Sequence, residues 1–195
     1  MDNNIFATFL LGKAEEQLEI DCKAFSTAEK QNEYFEKTIK TIETEKIQDD
    51  IRYYNRTIKN NYYNIHNGWF TYNTVSFEFH KINSSEFSNI SAGDKIYIGI
   101  DYEESSEENV LKYYFNTDIS KLKEELKYKW DYYKQIDKSE PGMYIYEQDD
   151  NQIIVKGIQG GCDIPDLDED DFDVFMDEPS RMVTCFLKIF ELTVE

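Results

Sequence analysis

Alternation of apolar and polar residues near the start of the chain predicts a β-hairpin. Residues 5–11 form an apolar run. In residues 17–25, apolar side chains such as Leu18, Ile20 and Cys22 alternate with charged ones, which is the period of a half-buried strand. Residues 12–15 separate the two runs. We therefore expect two antiparallel strands here.

The next segment has the spacing of a helix. Residues 26–29 fit a capping box, in which the Ser26 hydroxyl accepts a hydrogen bond from a free backbone N–H and Glu29 reaches back to the first turn. No Pro or Gly interrupts residues 27–64. The pattern predicts one long N-terminal helix or, with a break near residues 46–50, a packed pair. Its apolar positions recur every three to five residues: Phe35, Ile39, Ile42, Ile47, Ile51, Tyr54, Ile58 and Tyr62.

The rest of the chain reads mainly as strands. Apolar or alternating runs predict them at 69–82, 95–102, 110–115, 143–146, 153–158 and 182–194. A second helix is expected near 118–136, with apolar side chains on one face and lysines on the other. The last strand is apolar on both faces, which favours a central position.

These elements together predict an α+β fold. We expect an antiparallel β-sheet of about six to eight strands, packed by the long N-terminal helix or helix pair and by the helix near 118–136. The sequence contains no internal repeat and no linker between domains. The expectation is therefore a single domain over residues 1–195, with an acidic loop at 163–178.

Composition and charge narrow the possible partners. The chain has 195 residues, of which 40% are hydrophobic and 15% aromatic, enough apolar surface for a core. Forty acidic residues against 21 basic ones give a net charge of -19. A surface of this sign repels phosphate backbones and anionic lipids, so we expect no direct binding to nucleic acid or to membranes.

The sequence features of secretion and membrane insertion are missing from the chain. No Lys or Arg precedes Ile5, and no window contains the roughly 18 to 20 apolar residues that span a membrane. The three cysteines, Cys22, Cys162 and Cys185, are widely spaced and odd in number, which argues against a disulfide framework. We therefore expect a cytoplasmic protein.

The negative charge is concentrated late in the chain. Residues 139–195 contain 15 acidic and three basic residues. Crowding like charges opposes folding, so we interpret the acidic residues of 163–178 and of a second loop as partner-binding. They are Asp163, Asp166, Asp168, Glu169, Asp170, Asp171, Asp173, Asp177, Glu178, Glu103, Glu104, Glu107 and Glu108. Asp149 and Asp150 would join them if the fold brought all of them onto one face.

Binding to a basic protein is the leading interpretation of this cluster. Carboxylates on an extended chain rise about 3.3 Å per residue, close to the roughly 3.4 Å phosphate spacing of one DNA strand. The predicted function is an acidic inhibitor that occludes the basic nucleic-acid-binding surface of a partner. Two settings fit: a nucleic-acid mimic of phage defence, such as an anti-CRISPR or anti-restriction protein, or an immunity protein. The partner would be a nuclease, a CRISPR effector or a toxin.

Two non-enzymatic alternatives stay open. Asp166, Asp168 and Asp170 stand at positions 1, 3 and 5 of an EF-hand-like loop that ends at Asp177. However, position 6 is Asp171 instead of Gly, and position 12 is Asp177 instead of the Glu that binds calcium with both oxygens. The other alternative is a scaffold or oligomerisation protein that uses a sheet edge or the long helix.

Catalysis is poorly supported by the sequence. There are two histidines, His66 and His80, and no Cys or His pair has metal-ligand spacing. Residues 157–161 lack the pattern of a phosphate loop. Cys162 as a nucleophile with His80 as its base is disfavoured, because nearby acids raise the thiol pKa. We expect no enzyme activity, no catalytic residue, no metal site and no cofactor.

Overall fold

The fold is α+β. A computed structural model of the protein describes residues 4–14, 17–47, 54–66, 75–85, 87, 90–103, 110–136, 143–158 and 182–195. These ranges contain three α-helices, one π-helical turn and ten strands in two antiparallel five-stranded sheets. The chain divides into two compact units, Met1–Lys95 with Leu192–Glu195, and Ile96–Glu191. The expectation of a single domain stays a prediction.

The first unit is built on a sheet with the strand order β2-β1-β5-β4-β3. Its strands are β1 (Ile5–Ala14), β2 (Gln17–Phe25), β3 (Asn55–Lys59), β4 (Tyr62–His66) and β5 (Ser76–Ser84). The helix α1 (Ala28–Thr41) continues as a π-helical turn, Ile42–Lys46. The predicted first hairpin is confirmed, because Phe9 of β1 faces Cys22 of β2 in an antiparallel register.

The predicted long helix is wrong beyond Lys46. Helical structure ends there, within the range where a break was considered, and the following described residues form the β3–β4 hairpin instead of a second helix. The physical reason lies in the side chains. Tyr63 and Ile65 are buried while their neighbours are half-buried, which is a period of two, and β-branched and aromatic residues favour strands.

The start of α1 differs from the predicted capping box by one residue. Thr27 is the N-cap, and its hydroxyl accepts from the Lys30 N–H at 3.3 Å. The Ser26 hydroxyl donates to the backbone oxygen of Glu195 at 2.8 Å. One face of α1 then packs on the sheet, where the ring of Phe35 stacks on Phe79 with centroids 4.7 Å apart.

The second unit has its own sheet, with the order β7-β6-β10-β9-β8. Its strands are β6 (Lys95–Glu103), β7 (Val110–Asn116), β8 (Met143–Gln148), β9 (Gln152–Ile158) and β10 (Met182–Thr193). The helix predicted near 118–136 is two consecutive helices, α2 (Ile119–Glu125) and α3 (Lys127–Tyr133). β10 lies between β6 and β9, so its predicted central position is confirmed.

The expected single sheet of six to eight strands is a wrong prediction. The described residues form ten strands divided equally between two sheets. Alternation shows that a strand has a buried face, but it does not identify the neighbouring strand, and large open sheets tend to split. In the second unit, α2 and α3 cover one face of the sheet, where Leu122 and Leu126 pack with Val155 and Leu187.

Gly99 of β6 allows these helices to approach the sheet closely. A Cβ atom at this position would lie 2.7 Å from Cδ1 of Leu126, which is shorter than any normal van der Waals contact. In the described part of the chain, no helix is both long and apolar enough to cross a bilayer. The longest, α1, has 14 residues, whereas a span needs about 20.

Candidate functional site

Most of the predicted partner-binding residues fall outside the described residues. Glu103 is described, and it is exposed at the end of β6. The acidic loop at 163–178 and the EF-hand-like spacing Asp166–Asp177 lie outside, and both stay predictions. The predicted site residues outside the description are Glu104, Glu107, Glu108, Asp163, Asp166, Asp168, Glu169, Asp170, Asp171, Asp173, Asp177 and Glu178.

Backbone hydrogen bonds fix the direction of β10 relative to β6. The Gly93 N–H donates to the Val194 oxygen at 2.8 Å, and the Val194 N–H donates to the Asp94 oxygen at 2.9 Å. The residues that follow β10 therefore lie beside those that precede β6, and the two neighbouring strands are antiparallel. It follows that the last residue of β6, Glu103, and the first residue of β10, Met182, lie at the same end of the sheet.

Five strand termini meet at this end of the second sheet. Val110 at the start of β7 faces Glu103, and Ile158 at the end of β9 faces Met182. β8 begins at Met143, beside the end of β9. We call this region, defined by these five residues, the Glu103 end. It is the part of the described structure to which the predicted acidic loops are covalently joined.

Segments joined to the Glu103 end carry the negative charge of the second unit. By sequence, the second unit has 24 acidic and 10 basic residues, and the first unit has 16 and 11. Residues 104–109, 137–142 and 159–181 together hold 14 of those 24 acids and two of those 10 bases. The described remainder of the second unit, with 10 acids and eight bases, is close to neutral.

Asp149 and Asp150 do not belong to this region. They lie in the turn between β8 and β9, at the opposite end of the sheet, about 20 Å away for strands of this length. The Asp149 carboxylate accepts hydrogen bonds from the backbone N–H groups of Asn151 and Gln152, at 2.6 and 3.0 Å. Asp149 therefore stabilises the turn, and the pair lies at the other end of the sheet from Glu103. The condition that the fold brings this pair onto one face with the acids of 163–178 falls outside the described residues.

Sequence reasoning missed a buried polar cluster beside the Glu103 end. Asp101 of β6 is 4% exposed. The Tyr133 hydroxyl donates to its Oδ1 at 2.9 Å, and Lys129 Nζ lies 3.3 Å from its Oδ2. Lys129 and Tyr133 are four residues apart on α3 and so project from one helix face. This spacing is visible in the sequence, but the burial of one acid among 40 is not.

The cluster carries a negative potential that perturbs its neighbours. Burial raises the pKa of Tyr133, and the charges of Asp101 and Glu103 raise it further. Partial burial acts to lower the pKa of Lys129, but the charge and hydrogen bond of Asp101, together with the charges of Glu103 and Tyr114, outweigh it and the pKa is raised. Both groups therefore keep their protons, and Lys129 stays a cation that partly neutralises Asp101. Tyr133 is held as a hydrogen-bond donor and is unsuited to act as a base.

A second feature of the same unit is a groove of about 690 Å³ between the helices and the β8–β9 turn. Trp130 lies in its wall, with Lys134 Nζ 5.9 Å from a ring centroid. Lys127 forms an ion pair with Asp131 at 3.0 Å. Charges of both signs line the groove, so its electrostatics favour neither an anion nor a cation: Lys123, Glu124, Lys127, Asp131, Lys134, Asp149 and Asp150.

The described residues offer little for catalysis. His80 Nε2 lies 3.5 Å from the Glu78 carboxylate, and its ring packs against Tyr62 with centroids 4.7 Å apart. Cys22 is buried, and burial raises the pKa of its thiol. Among the residues that the structure describes, no three acidic, His or Cys side chains are grouped to hold a metal ion. Cys162 falls outside those residues, so its pairing with His80 stays untested.

Comparison with known proteins adds no family to this description. No family model, no curated protein and no solved structure matches the chain. The charge and topology of the chain are therefore the only indications of its function.

Proposed function

We propose that this protein is a cytoplasmic, acidic inhibitor that binds the basic nucleic-acid-binding surface of another protein and occludes it. One observation carries the proposal: the segments that hold 14 of the second unit's acids are all joined to the Glu103 end. Anionic side chains that start from one end of a sheet produce a directed negative field, and a basic surface meets it through electrostatic steering.

The strands that end at the Glu103 end are held in place by contacts within the described structure. Asp101, Lys129 and Tyr133 tie β6 to α3 beside the Glu103 end, through contacts of 2.9 and 3.3 Å. β6, β10 and β9 are all paired on both sides. An anchored site loses less conformational entropy on binding than a free acidic chain would, which favours affinity as well as fast association.

The target class follows from charge complementarity. Proteins that bind nucleic acid carry clustered Lys and Arg that neutralise phosphates, and such a cluster accepts carboxylates as readily. A nucleic-acid mimic that blocks a CRISPR or restriction effector and an immunity protein that blocks a nuclease toxin share this mechanism. The identity of the bound protein separates the two settings.

The test compares two ends of the same unit. Tagged protein is incubated with lysate of the host at low and at high salt, and the retained protein is identified and assayed for nucleic-acid binding. Charge reversal of Asp168, Asp170 and Asp171 to Lys should weaken capture about tenfold or more, because several carboxylate contacts become repulsive. Retention by the unchanged protein should fall as salt rises.

The matched control makes the same change in net charge away from the Glu103 end. Glu124, Glu125 and Asp150 are exposed on α2 and on the β8–β9 turn, and all three are replaced by Lys. This control should keep most of the affinity. Equal binding by both triple variants, or capture that does not respond to salt, would contradict the proposed contact.

A further inference from the structure

The segment Leu192–Glu195, which we call the strap, belongs to the first unit although most of β10 belongs to the second. Hydrogen bonds join the strap to the residues before β6. The Val194 N–H donates to the Asp94 oxygen at 2.9 Å, and the Gly93 N–H donates to the Val194 oxygen at 2.8 Å. The Val194 side chain is 2% exposed, so burial of an apolar side chain accompanies these two bonds.

The strap is also joined to the end of β2. The Glu195 N–H donates to the Ala24 oxygen, and the Ser26 N–H donates to the Glu195 oxygen, both at 2.9 Å. The Ser26 hydroxyl donates to the same oxygen at 2.8 Å. Because Ser26 directly precedes Thr27, the N-cap of α1, these contacts hold the chain where it leaves β2 and enters the helix.

The contacts that hold the strap are few in comparison with those that hold the sheet. β1 pairs with β2 and with β5 over nine residues each. Apart from the pairing of β10 itself, the described contacts of the strap are four backbone hydrogen bonds, one serine hydroxyl and the buried Val194 side chain. Thr193 and Glu195 are exposed. Segments with few buried apolar contacts open at a lower free energy than the core of a protein.

We propose that the strap opens as one element before the sheet of the first unit does, and that its opening loosens the start of α1. Val194 and Glu195 are adjacent, so release of either residue weakens the hold on the other. Opening also removes the acceptor of both Ser26 donors beside the N-cap. The first turn of α1, where the Gln31 N–H donates to the Thr27 oxygen at 3.2 Å, then loses the contacts that fix its entry.

This local opening is independent of the proposed inhibitor function, because the residues involved do not belong to the Glu103 end. Native-state hydrogen exchange of the full chain, followed by NMR, detects it. The backbone amides at positions 26, 93, 194 and 195 all donate in the strap contacts. They should share one opening constant, roughly tenfold or more above that of the β1 amides. Unrelated rates at the four positions, or rates as slow as those of β1, would overturn the proposal.

Truncation of the buried side chain tests whether the four amides open together. Val194→Ala should accelerate exchange at all four positions by a common factor of about ten, because it removes buried apolar contacts, and the β1 amides should keep their rates. Thr193→Ser is the matched control, since it also removes β-branching, but from an exposed side chain. It should change the rates by less than about twofold. Equal acceleration of the β1 and strap amides would contradict a local opening.

The link to α1 is tested with Ser26→Ala, which removes the hydroxyl donor to Glu195 and keeps the N–H. Exchange of the strap amides and of the Gln31 amide should rise about threefold to tenfold. Ser120→Ala, at an exposed position of α2, should leave these rates unchanged. If the Gln31 amide kept its rate in both Ser26→Ala and Val194→Ala, opening of the strap would not reach α1 and the proposal would be wrong.

Discussion

Each of the two units holds a helix on its sheet through one buried polar side chain, and the two side chains differ in charge. In the first unit Gln31, 3% exposed, donates from Nε2 to the Ala7 oxygen and to Asn83 Oδ1 at 2.5 and 2.9 Å. In the second unit Asp101 accepts from Tyr133 and pairs with Lys129. A neutral amide is satisfied by neutral oxygens, here the backbone oxygens of Ala7 and Ile82 and the side-chain oxygen of Asn83, whereas a buried carboxylate needs a cation nearby.

Because Asp101 is charged and Gln31 is neutral, only the buried side chain of the second unit interacts strongly with nearby charges. The field that perturbs Tyr133 and Lys129 includes Glu103, so the buried anchor and the acidic end of the sheet are coupled. The anchor of the first unit has no such coupling, because Gln31 does not titrate. Substitutions at the two anchors should therefore differ in size and in their dependence on charge.

The largest effect is expected at Asp101. Asp101→Ala leaves a buried hydroxyl and a half-buried ammonium without their acceptor, and should lower the free energy of unfolding by about 3 kcal/mol. Asp101→Asn retains an oxygen for Tyr133 and should cost about 1 to 2 kcal/mol. Urea denaturation measures both. An identical loss in the two variants would show that the negative charge adds nothing.

A smaller effect is expected at Gln31. Gln31→Leu removes the Nε2 donor, which lies within hydrogen-bond distance of three oxygens, while keeping the volume of the side chain, and should cost about 1 to 2 kcal/mol. Glu33→Leu, at an exposed position of the same helix, is the control for adding a leucine to α1. Urea denaturation should give the same loss of unfolding free energy for Gln31→Leu at low and at high salt. A clear dependence on salt would contradict the claim that Gln31, unlike Asp101, does not interact with nearby charges.

The smallest effect is expected on the free energy of unfolding at alkaline pH. Each unit contributes to it through one tyrosine with a raised pKa. Burial and the nearby Glu78 charge raise the pKa of Tyr62 to about 12, above the ordinary value of about 10. The folded state then binds more protons than the unfolded state above pH 10 or so, and stability falls as the pH rises toward 12. Tyr62→Phe removes this proton, so the fall should be shallower.

Denaturation midpoints measured across that alkaline range test the prediction, with the tyrosinate absorbance recorded in parallel. Tyr133→Phe should also flatten the fall, since the pKa of Tyr133 is raised in the folded state. Tyr128→Phe, on a ring that is 81% exposed, controls for the loss of a tyrosine as such. If the midpoint fell equally steeply with pH in all variants, Tyr62 and Tyr133 would not be the groups that cause the loss of stability.

The sequence predicted helices and strands well where the spacing of apolar residues fitted only one of the two structures. The hairpin of β1 and β2 followed from the alternation of apolar and charged residues, and the central position of β10 followed from its apolar residues on both faces. The predicted helix beyond Lys46 was wrong because Tyr54 before β3, Ile58 of β3 and Tyr62 of β4 are four residues apart and so also satisfy a loose helical spacing. Local pattern alone could not decide between the two.

The candidate site was predictable only as a charge distribution. Counting acids along the chain identified the segments, but their joining to one end of a sheet depends on the pairing of β10 with β6, which are far apart in sequence. Asp101 was missed for a related reason. Its partners Lys129 and Tyr133 come from α3, and a burial created by tertiary packing leaves no local pattern in the sequence.

The division of the chain has a consequence for biosynthesis. Hydrogen bonds from the Glu195 N–H to the Ala24 oxygen and from the Ser26 N–H to the Glu195 oxygen, both 2.9 Å, belong to the first unit. The ribosome makes residues 1–95 first, and at about 5 to 20 residues per second the last strand segment arrives some 5 to 20 seconds later. During translation, water therefore occupies the hydrogen-bonding positions of Ala24 and Ser26 until residues 192–195 emerge.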